Sequence, residues 1–445
     1  MKLVNTHKLI LLMLFLFLKM EIASAQVWTL KQCIDTALVH NNNLESGRNS
    51  IAIGKEREKE AKAHLLPKVT ANADYKYFTD LPYQLMPLST FNPAASEGQF
   101  NEIQFGVPHN INANLQIALP LYSAYINGAI KNTKLASELS ELRYQKSEEE
   151  VYYEISNLYY NAKIISHQLN FVKANLKNAE KLLGNLQSLK DEKLATGTDV
   201  SKIELQISQL KNQEQNLSYK YGQINNALKF TMGVSLDLNM EIETDIRFEE
   251  SLQEESGIIL DYQIAKTQEQ LIQSEISTLN QSRFIPNVNL VGSYGTTGFG
   301  YDQSPNEFLK FFPMSFVGLQ LSYPIFNKGV TKRKLKQKHF ELENNALQQE
   351  LISEANAMKI ENAEMQKDMT KKSLLTTEEQ IALAQKIYNE SLLQKNEGLV
   401  NLTEVLLAEN ALREAQQANL TAIIDYLKAD LELKKLRGNI KNINY

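Results

Sequence analysis

Apolar positions along this chain repeat with two periods. From Ile155 they step by four and three: Ile155, Leu158, Ala162, Ile165, Leu169, Val172, Leu176, Ala179, Leu183 and Leu186. That is a heptad seam of the kind that packs helices as a coiled coil. Leu135, Leu139 and Leu142 form an upstream seam out of phase with it, joined by a stutter near Lys146–Glu150. The pattern predicts one helix over Ser123–Leu189, about 100 Å long at the α-helical rise. The seam resumes at Val200, Ile203, Ile207 and Leu210, then Leu217, Tyr221, Ile224 and Leu228, with Glu214 as its only break. A helical hairpin turning near Asp191–Asp199 follows. A second long helix is expected from Lys328 to about Asn396, with Met358, Met365, Met369, Leu374, Ile381 and Tyr388 on one broad stripe. Without His or Cys beside them, these methionines are expected in a core rather than on a metal. After Gly398 the seam is Val405, Ala408, Leu412, Ala415, Asn419, Ala422, Tyr426, Ala429, Leu433 and Leu436.

The other period is two. Val69, Ala71, Ala73, Tyr75 and Tyr77 alternate with Thr70, Asn72, Asp74 and Lys76; Ile111 to Leu119 alternates with asparagines and Gln116; Val317, Leu319 and Leu321 alternate with Gly318, Gln320 and Ser322. Asn287–Gly295 is less clean, because Val291 sits on its polar side. Strands with one wet and one greasy face have this signature, and about 9–11 tilted residues cross a bilayer. A soluble antiparallel sheet alternates in the same way. Tyr75, Tyr77, Tyr122, Tyr294, Tyr301 and Tyr323 suit the aromatic girdles at bilayer interfaces. All ten prolines fall in the windows Pro67–Pro120 and Pro286–Pro324, which hold these segments and leave the helical runs free of proline.

The two halves match. Leu66-Pro67 aligns with Ile285-Pro286, Pro120-Leu121-Tyr122 with Pro324-Ile325-Phe326, and Asp199-Val200 with Glu404-Val405. The predicted organisation is a first repeat over 26–255 and a second over 256–445. The first has strands about 67–78 and 110–122, a helical hairpin about 123–232 and a connecting segment 233–255. The second has strands about 286–297 and 315–326 and a hairpin about 328–437. The halves differ in length in the strand–strand loops, Phe78–His109 against Thr296–Pro313, which marks those as surface loops. Thr296–Gly300 is expected at the tip of the second. Four membrane strands cannot close a barrel, and an open edge in lipid leaves backbone groups unpaired. A ring of copies is required, of three or four chains.

Composition narrows the setting. Lys2 and Lys8, the apolar run Leu9–Leu18 and Ala23-Ser24-Ala25 form a secretory signal peptide over residues 1–25. Removing it takes Lys2, Lys8, Lys19 and Glu21 from the 47 basic and 52 acidic residues, leaving 44 and 51 and a charge of −7. An acidic chain argues against nucleic acid as a partner. The single cysteine, Cys33, excludes an internal disulfide, and Leu30-Lys31-Gln32-Cys33 is a poor acylation motif. The histidines lack ligand spacing, no nucleophile sits in a catalytic cluster, and neither a cofactor nor an enzymatic activity is expected.

The chain resembles the TolC-like outer-membrane efflux proteins, of the Bacteroidetes type. The resemblance rests on Trp28-Thr29-Leu30-Lys31-Gln32-Cys33-Ile34-Asp35-Thr36-Ala37-Leu38 with Asn41-Asn42-Asn43-Leu44, on the two Leu/Ile-Pro pairs before the strands, and on Gly398-Leu399-Val400-Asn401-Leu402-Thr403-Glu404-Val405-Leu406. It implies a mainly α fold with a membrane β-barrel: a homotrimer whose twelve strands cross the outer membrane and whose helices continue as a periplasmic tunnel. It further implies a passive exit duct for efflux or type I secretion, in contact with outer-membrane lipid, a periplasmic adaptor and an inner-membrane transporter. By the same resemblance Glu404 and its counterpart Asp199 are the candidate periplasmic gate. Leu194, Ala195, Thr196, Gly197, Gly398, Leu399 and Val400 are the candidate adaptor-contacting tips. Some members carry a second acid where this chain has Leu407, and a constriction tyrosine and arginine where it has Lys395 and Val400; the tip glycine of the first repeat falls on Lys193. A bland reading makes Asp199 a helix N-cap and Glu404 a first-turn acid on a helix dipole. The competing overall reading is a periplasmic coiled-coil adaptor or scaffold without a barrel. The sequence leaves the cargo open.

Overall fold

The computed structural model describes residues 26–91, 93–193, 196–243, 257, 259–400 and 402–441. The expected signal peptide, and the connecting segment from residue 244 on, lie outside them. The chain forms two compact units. One comprises the chain up to Ile51, Ser140–Lys266 and Gln348 onward; the other comprises Ala52–Leu139 and Thr267–Leu347.

The first unit holds the helical seams. Its opening strand β1 (Gln26–Trp28) leads into α1 (Leu30–His40) and α2 (Asn42–Ala63). Thr29 caps α1 with a reciprocal box: its hydroxyl accepts from the Gln32 amide, and the Gln32 side chain accepts from the Thr29 amide. Buried Asn41 starts α2 by accepting from the Asn43 and Leu44 amides, while its Nδ2 donates to the Thr231 carbonyl at 2.6 Å. The long helices are α3 (Ala124–Asp191, 68 residues) and α4 (Gly197–Met232) in the first hairpin. In the second they are α6 (Val330–Asn396, 67 residues) and α7 (Leu402–Leu436), after α5 (Leu260–Phe284). Each of the two longest runs about 100 Å.

Burial follows the heptads in three of the four. Ile155, Ala162, Val172 and Ala179 on α3, Val200, Ile207, Leu217 and Leu228 on α4, and Val405, Ala408, Leu412, Ala422 and Leu433 on α7 are all buried. On α6 the expected stripe holds in its second half, where Leu374 is buried and Ile381 and Tyr388 pack against Ala384, Leu412 and Ala415, but not in its first. Met358, Met365 and Met369 are exposed, and the buried positions are Ala363, Thr370, Leu374, Thr377 and Ala384. Alanine and threonine on a seam allow close helix approach but do not announce an apolar face, which is why the larger methionines gave the wrong register.

The main core joins α1 to the bundle. Cys33, Ile34, Ala37 and Leu44 pack with Val151, Ile155, Tyr159 and Ala162 of α3, Leu228 and Met232 of α4, and Met240 and Ile242. The last two lie on β6 (Met240–Ile242), which pairs in parallel with β1. Tyr159 donates to the Trp28 carbonyl at 3.2 Å. The helix α4 ends in a Schellman cap at Gly233, where φ is +74° and the Gly233 and Val234 amides donate to the Phe230 and Lys229 carbonyls. The helix α7 ends in the same motif at Gly438, 205 residues on, also with φ +74°.

The second unit carries a four-stranded antiparallel sheet of β2 (Lys68–Tyr77), β5 (His109–Tyr122), β7 (Asn287–Tyr301) and β8 (Phe308–Ser322), in that order. The second strand pair runs well beyond 286–297, and β8 starts earlier than 315 and ends at Ser322. Thr296–Gly300 is therefore strand, not a loop tip. Its glycines answer close packing instead: a Cβ on Gly298 would lie 2.6 Å from the Phe311 ring, and one on Gly295 would lie 2.4 Å from the Ala113 carbonyl oxygen. Tyr294 lies mid-strand opposite Leu115 and Ser315, not at an interface. The first strand–strand connection holds its own hairpin, β3 (Tyr83–Pro87) with β4 (Phe100–Gln104).

Burial holds the core thiol neutral: desolvation pushes Cys33 up to about 12, and Tyr160 likewise up to about 12. Both pKa values are raised above the unfolded values, so this contribution is complete below about pH 8.5 and is lost as pH rises toward the folded values. Native protein is expected to leave Cys33 unlabelled by maleimide at pH 8 and to label fully in denaturant; rapid labelling of the native form would contradict the burial of α1.

Gly233 gives a second check. A Cβ there would lie 2.1 Å from the His40 carbonyl oxygen, whereas Gly398, also left-handed with φ +74°, has open space around it. Gly233→Ala is expected to lose at least about 2 kcal/mol and Gly398→Ala only about 1 kcal/mol, read from urea unfolding; equal losses would refute the packing argument.

Candidate functional site

Two places on the chain carry functional geometry: the hairpin tips and the sheet. At the first tip α3 ends at Asp191, Lys193 adopts φ +63°, and its amide donates to the Lys190 carbonyl at 2.9 Å. Leu194 and Ala195 lie outside the described residues. Thr196 precedes α4, and the Val200 amide donates to its carbonyl at 3.4 Å. Gly197 opens the helix, so Asp199 is its third residue and not the N-cap. The extra turn comes from Thr196-Gly197-Thr198, which enters the helix ahead of the acid.

At the second tip Gly398 takes the left-handed position, and the Gly398 and Leu399 amides close a Schellman motif on the Lys395 and Gln394 carbonyls. Leu399 is 74% exposed, and Val400 is half-buried. Glu404 is exposed and is the third residue of α7, in the first turn where a carboxylate favours the helix dipole. Asp199 and Glu404 thus hold the same position on equivalent helices. So do Lys193 and Gly398, 205 residues apart.

Several polar positions behind the tips had no sequence signal. Asn178 of α3 donates to Glu409 of α7 at 3.3 Å, and Glu409 also pairs with Arg413 at 2.6 Å. Farther along, Lys367 occupies a seam position on α6 and pairs with Asp430, which Lys434 also meets at 3.4 Å. Thr377 accepts at its hydroxyl from Asn419, which the seam already included, at 3.2 Å. A seam read by hydrophobicity skips such residues, because a lysine or threonine there looks like a break.

The sheet sorts its side chains by face. Register places Val69, Ile117, Gly292 and Val317 in one row and Ala71, Leu115, Tyr294 and Ser315 in the next. This face is apolar and bare, with Val69 60%, Leu319 70% and Val317 79% exposed. The opposite face holds Lys68, Asp74, Lys76 and Lys310, every formally charged residue of the four strands. Asn112 donates to Asp74 at 3.1 Å and Asn72 to Asn114 at 3.3 Å on that same face. Val291, which blurred the alternation, lies among Ala118 and Gly318 on the wet face. The strands β2 and β8 are the edges, each paired on one side only.

Comparison with known proteins agrees with this geometry. Residues 263–439 match the outer membrane efflux protein family. The chain superposes on the Campylobacter jejuni CmeC outer membrane channel with TM-score 0.73 and 13% identity, covering 92% of this chain and 86% of that one. For the outer-membrane channel OprN the values are 0.70 and 15%, with 92% and 90% covered. For the outer membrane protein VceC of Vibrio cholerae they are 0.69 and 17%, with 92% and 96% covered. No curated protein matches the sequence.

The left-handed lysine supplies a test of the tip. Lys193→Gly removes a backbone penalty of about 1 kcal/mol. Amide exchange in the last turn of α3 is expected to slow about threefold; unchanged or faster exchange would show that the tip does not hold this conformation.

Proposed function

We propose, from the premise that residues 263–439 are an outer membrane efflux protein domain and that the chain has the fold of TolC-family outer-membrane channels, that it is one protomer of a passive exit duct. The observation that carries this reading is the sheet: a bare apolar face, all charges on the other face, and two unpaired edges. Hydrocarbon can cover the first face and water the second. Neither edge can face lipid, because a backbone N–H or C=O unpaired there costs several kcal/mol. The strand β2 of one copy pairs with β8 of the next, and with four strands per chain that junction is antiparallel, like the rest. Three copies give twelve strands.

The barrel lies in the outer membrane, and the helical hairpins line a tunnel reaching into the periplasm. The chain conducts and does not catalyse; its family and structural neighbours are channel proteins. An inner-membrane transporter supplies the energy, and a periplasmic adaptor meets the tips. Exposed Leu399 beside Gly398 and half-buried Val400 offers that adaptor an apolar knob, with Thr196 and Gly197, and the segment Leu194-Ala195, at the other tip. The two-repeat division, 26–255 and 256–445, finds support in the matching left-handed caps at Lys193 and Gly398 and at Gly233 and Gly438. The adaptor or scaffold reading has no use for a sheet with a bare apolar face.

Asp199 and Glu404 serve as the gate. Three copies bring six carboxylates to the tunnel mouth, a ring that favours cations and holds the entrance electrostatically. The protein is expected as a heat-modifiable trimer in the outer-membrane fraction, and its recovery as a soluble periplasmic protein would overturn the duct. In planar bilayers Asp199→Ala and Glu404→Ala are expected to raise single-channel conductance, on the order of twofold. Unchanged conductance in both variants would remove the gate role and leave the duct standing.

A further inference from the structure

The wet face of the sheet is not uniformly polar. On β8 it presents Phe308, Lys310, Phe312, Met314 and Phe316 in alternation. Phe312, Met314 and Phe316 are 52%, 50% and 53% exposed on the side that carries every charge. Lipid cannot be what they face, since the opposite side of the same strand holds Leu309, Phe311, Pro313, Val317 and Leu319.

Their surroundings make a trough. Across β7 the paired wet-face residues are Thr297, Gly295 and Ser293, all small, and Ser293 is 7% exposed. Beyond them on β5 come Asn112, Asn114 and Gln116. The floor is therefore low, one wall is aromatic and thioether, and the other wall is amide. A molecule lying along it meets apolar surface on one flank and hydrogen-bonding groups on the other.

The outer end of the trough carries Lys310 and Lys76 in one row, with Asp74, 3.9 Å from Lys76, in the next. Lys310 is the only formally charged residue on β7 and β8. It pairs across the ladder with Phe299, and its Nζ lies 5.8 Å from the Phe308 ring centre. The Phe299 and Phe312 rings sit 6.0 Å apart next to it. Lys76 projects from the same row through Asn110 and Phe299. A carboxylate, sulfonate or sulfate head matches this end by charge, and an aromatic or alkyl body matches the track below it.

We infer that the strand face lined by Phe312, Met314 and Phe316 and headed by Lys310 is a binding subsite for amphiphilic organic anions near the outer mouth of the pore. The inference rests on the duct reading, which makes this face the lumen. The subsite slows such cargo at its last step and gives the barrel a preference that a plain water-filled cylinder lacks. It is reached from outside without crossing the acidic tip.

The test uses the full-length trimer in planar bilayers, with 1-anilinonaphthalene-8-sulfonate added on the loop side. Wild type is expected to show concentration-dependent block of its open-channel current. Phe312→Ser and Phe316→Ser should each raise the half-blocking concentration about tenfold. Lys310→Gln should raise it by about threefold to tenfold and should weaken discrimination against a cationic dye, ethidium. Val317→Ser, on the opposite face, should leave block unchanged, which separates the track from general loosening of the sheet. Normal conductance with block unaltered in Lys310→Gln and both Phe variants overturns the subsite and spares the duct. Absence of any conductance in wild type overturns the duct and the subsite with it.

Discussion

A backbone amide in hydrocarbon has no water to bond, and this constraint organises the rest of the chain. Within the sheet β2-β5-β7-β8 each ladder is complete, yet the outer sides of β2 and β8 have no partner strand. The chain therefore offers two matching halves of a seam and none of the closure. On the duct reading, everything below follows from how the copies close. The strand β5 hands over directly to α3, with Ser123 accepting from the Ile126 amide at 3.4 Å, whereas residues 323–329 separate β8 from α6, with Asn327 donating to the Thr331 hydroxyl at 2.5 Å.

The sheet also shows how a surface turns inside out while its strands stay ordinary. Apolar residues gather on one exposed face, and the opposing face, exposed as well, holds asparagines, lysines, one aspartate and the Phe312–Phe316 track. In the bundle the rule is the usual one, with Ile155, Val172, Leu217 and Leu228 buried. One sequence follows two solvents, and the switch falls at the proline windows, where period two replaces the heptad. No helix among the described residues is long and apolar enough to cross a membrane.

Legibility followed the strength of the local signal. Heptads of Ile, Leu and Val placed α3, α4 and α7 to within a few residues, because one residue of slippage would expose the whole seam. Alternation likewise placed β2 and β5. Thr296–Gly300 resembles a loop tip in sequence because it is glycine-rich; the ring of Phe311 and the Ala113 carbonyl, both brought by neighbouring strands, account for Gly298 and Gly295 within the strand. On α6 the methionine half of the stripe departs from the buried face for a related reason. Its buried face is Ala363, Thr370 and Thr377, with Lys367 between them, while its largest apolar side chains point outward. The short elements β1 and β6 leave no periodic trace, yet they close the core around Cys33. At the tips the sequence located both acids, but the left-handed Lys193 was invisible, since nothing about a lysine announces positive φ.

These misreadings point to a difference between two hairpins built on one plan. In the first, the buried positions of α3 and α4 include Ile155, Val172, Val200, Ile207, Leu217 and Leu228, large side chains whose burial removes much apolar area from water. In the second, the buried positions include Ala363, Thr370, Thr377 and Ala384 on α6 and Ala408, Ala415, Ala422 and Ala429 on α7, and one small cluster joins Ala384 to Leu412 and Ala415 beside Ile381 and Tyr388. Small residues let the axes approach but bury little area, so hydrophobic burial alone specifies register weakly. Polar contacts supply what is missing: Lys367 and Lys434 meet Asp430 with all three side chains mostly buried, and Asn419 meets Thr377. A buried charge pair contributes little net stability, but displacing either partner leaves the other desolvated and unpaired, a cost of several kcal/mol. Sliding α6 along α7 by one turn would break these polar contacts together. The second hairpin is accordingly the one whose position is set by discrete polar locks, and it carries Glu404 at its tip.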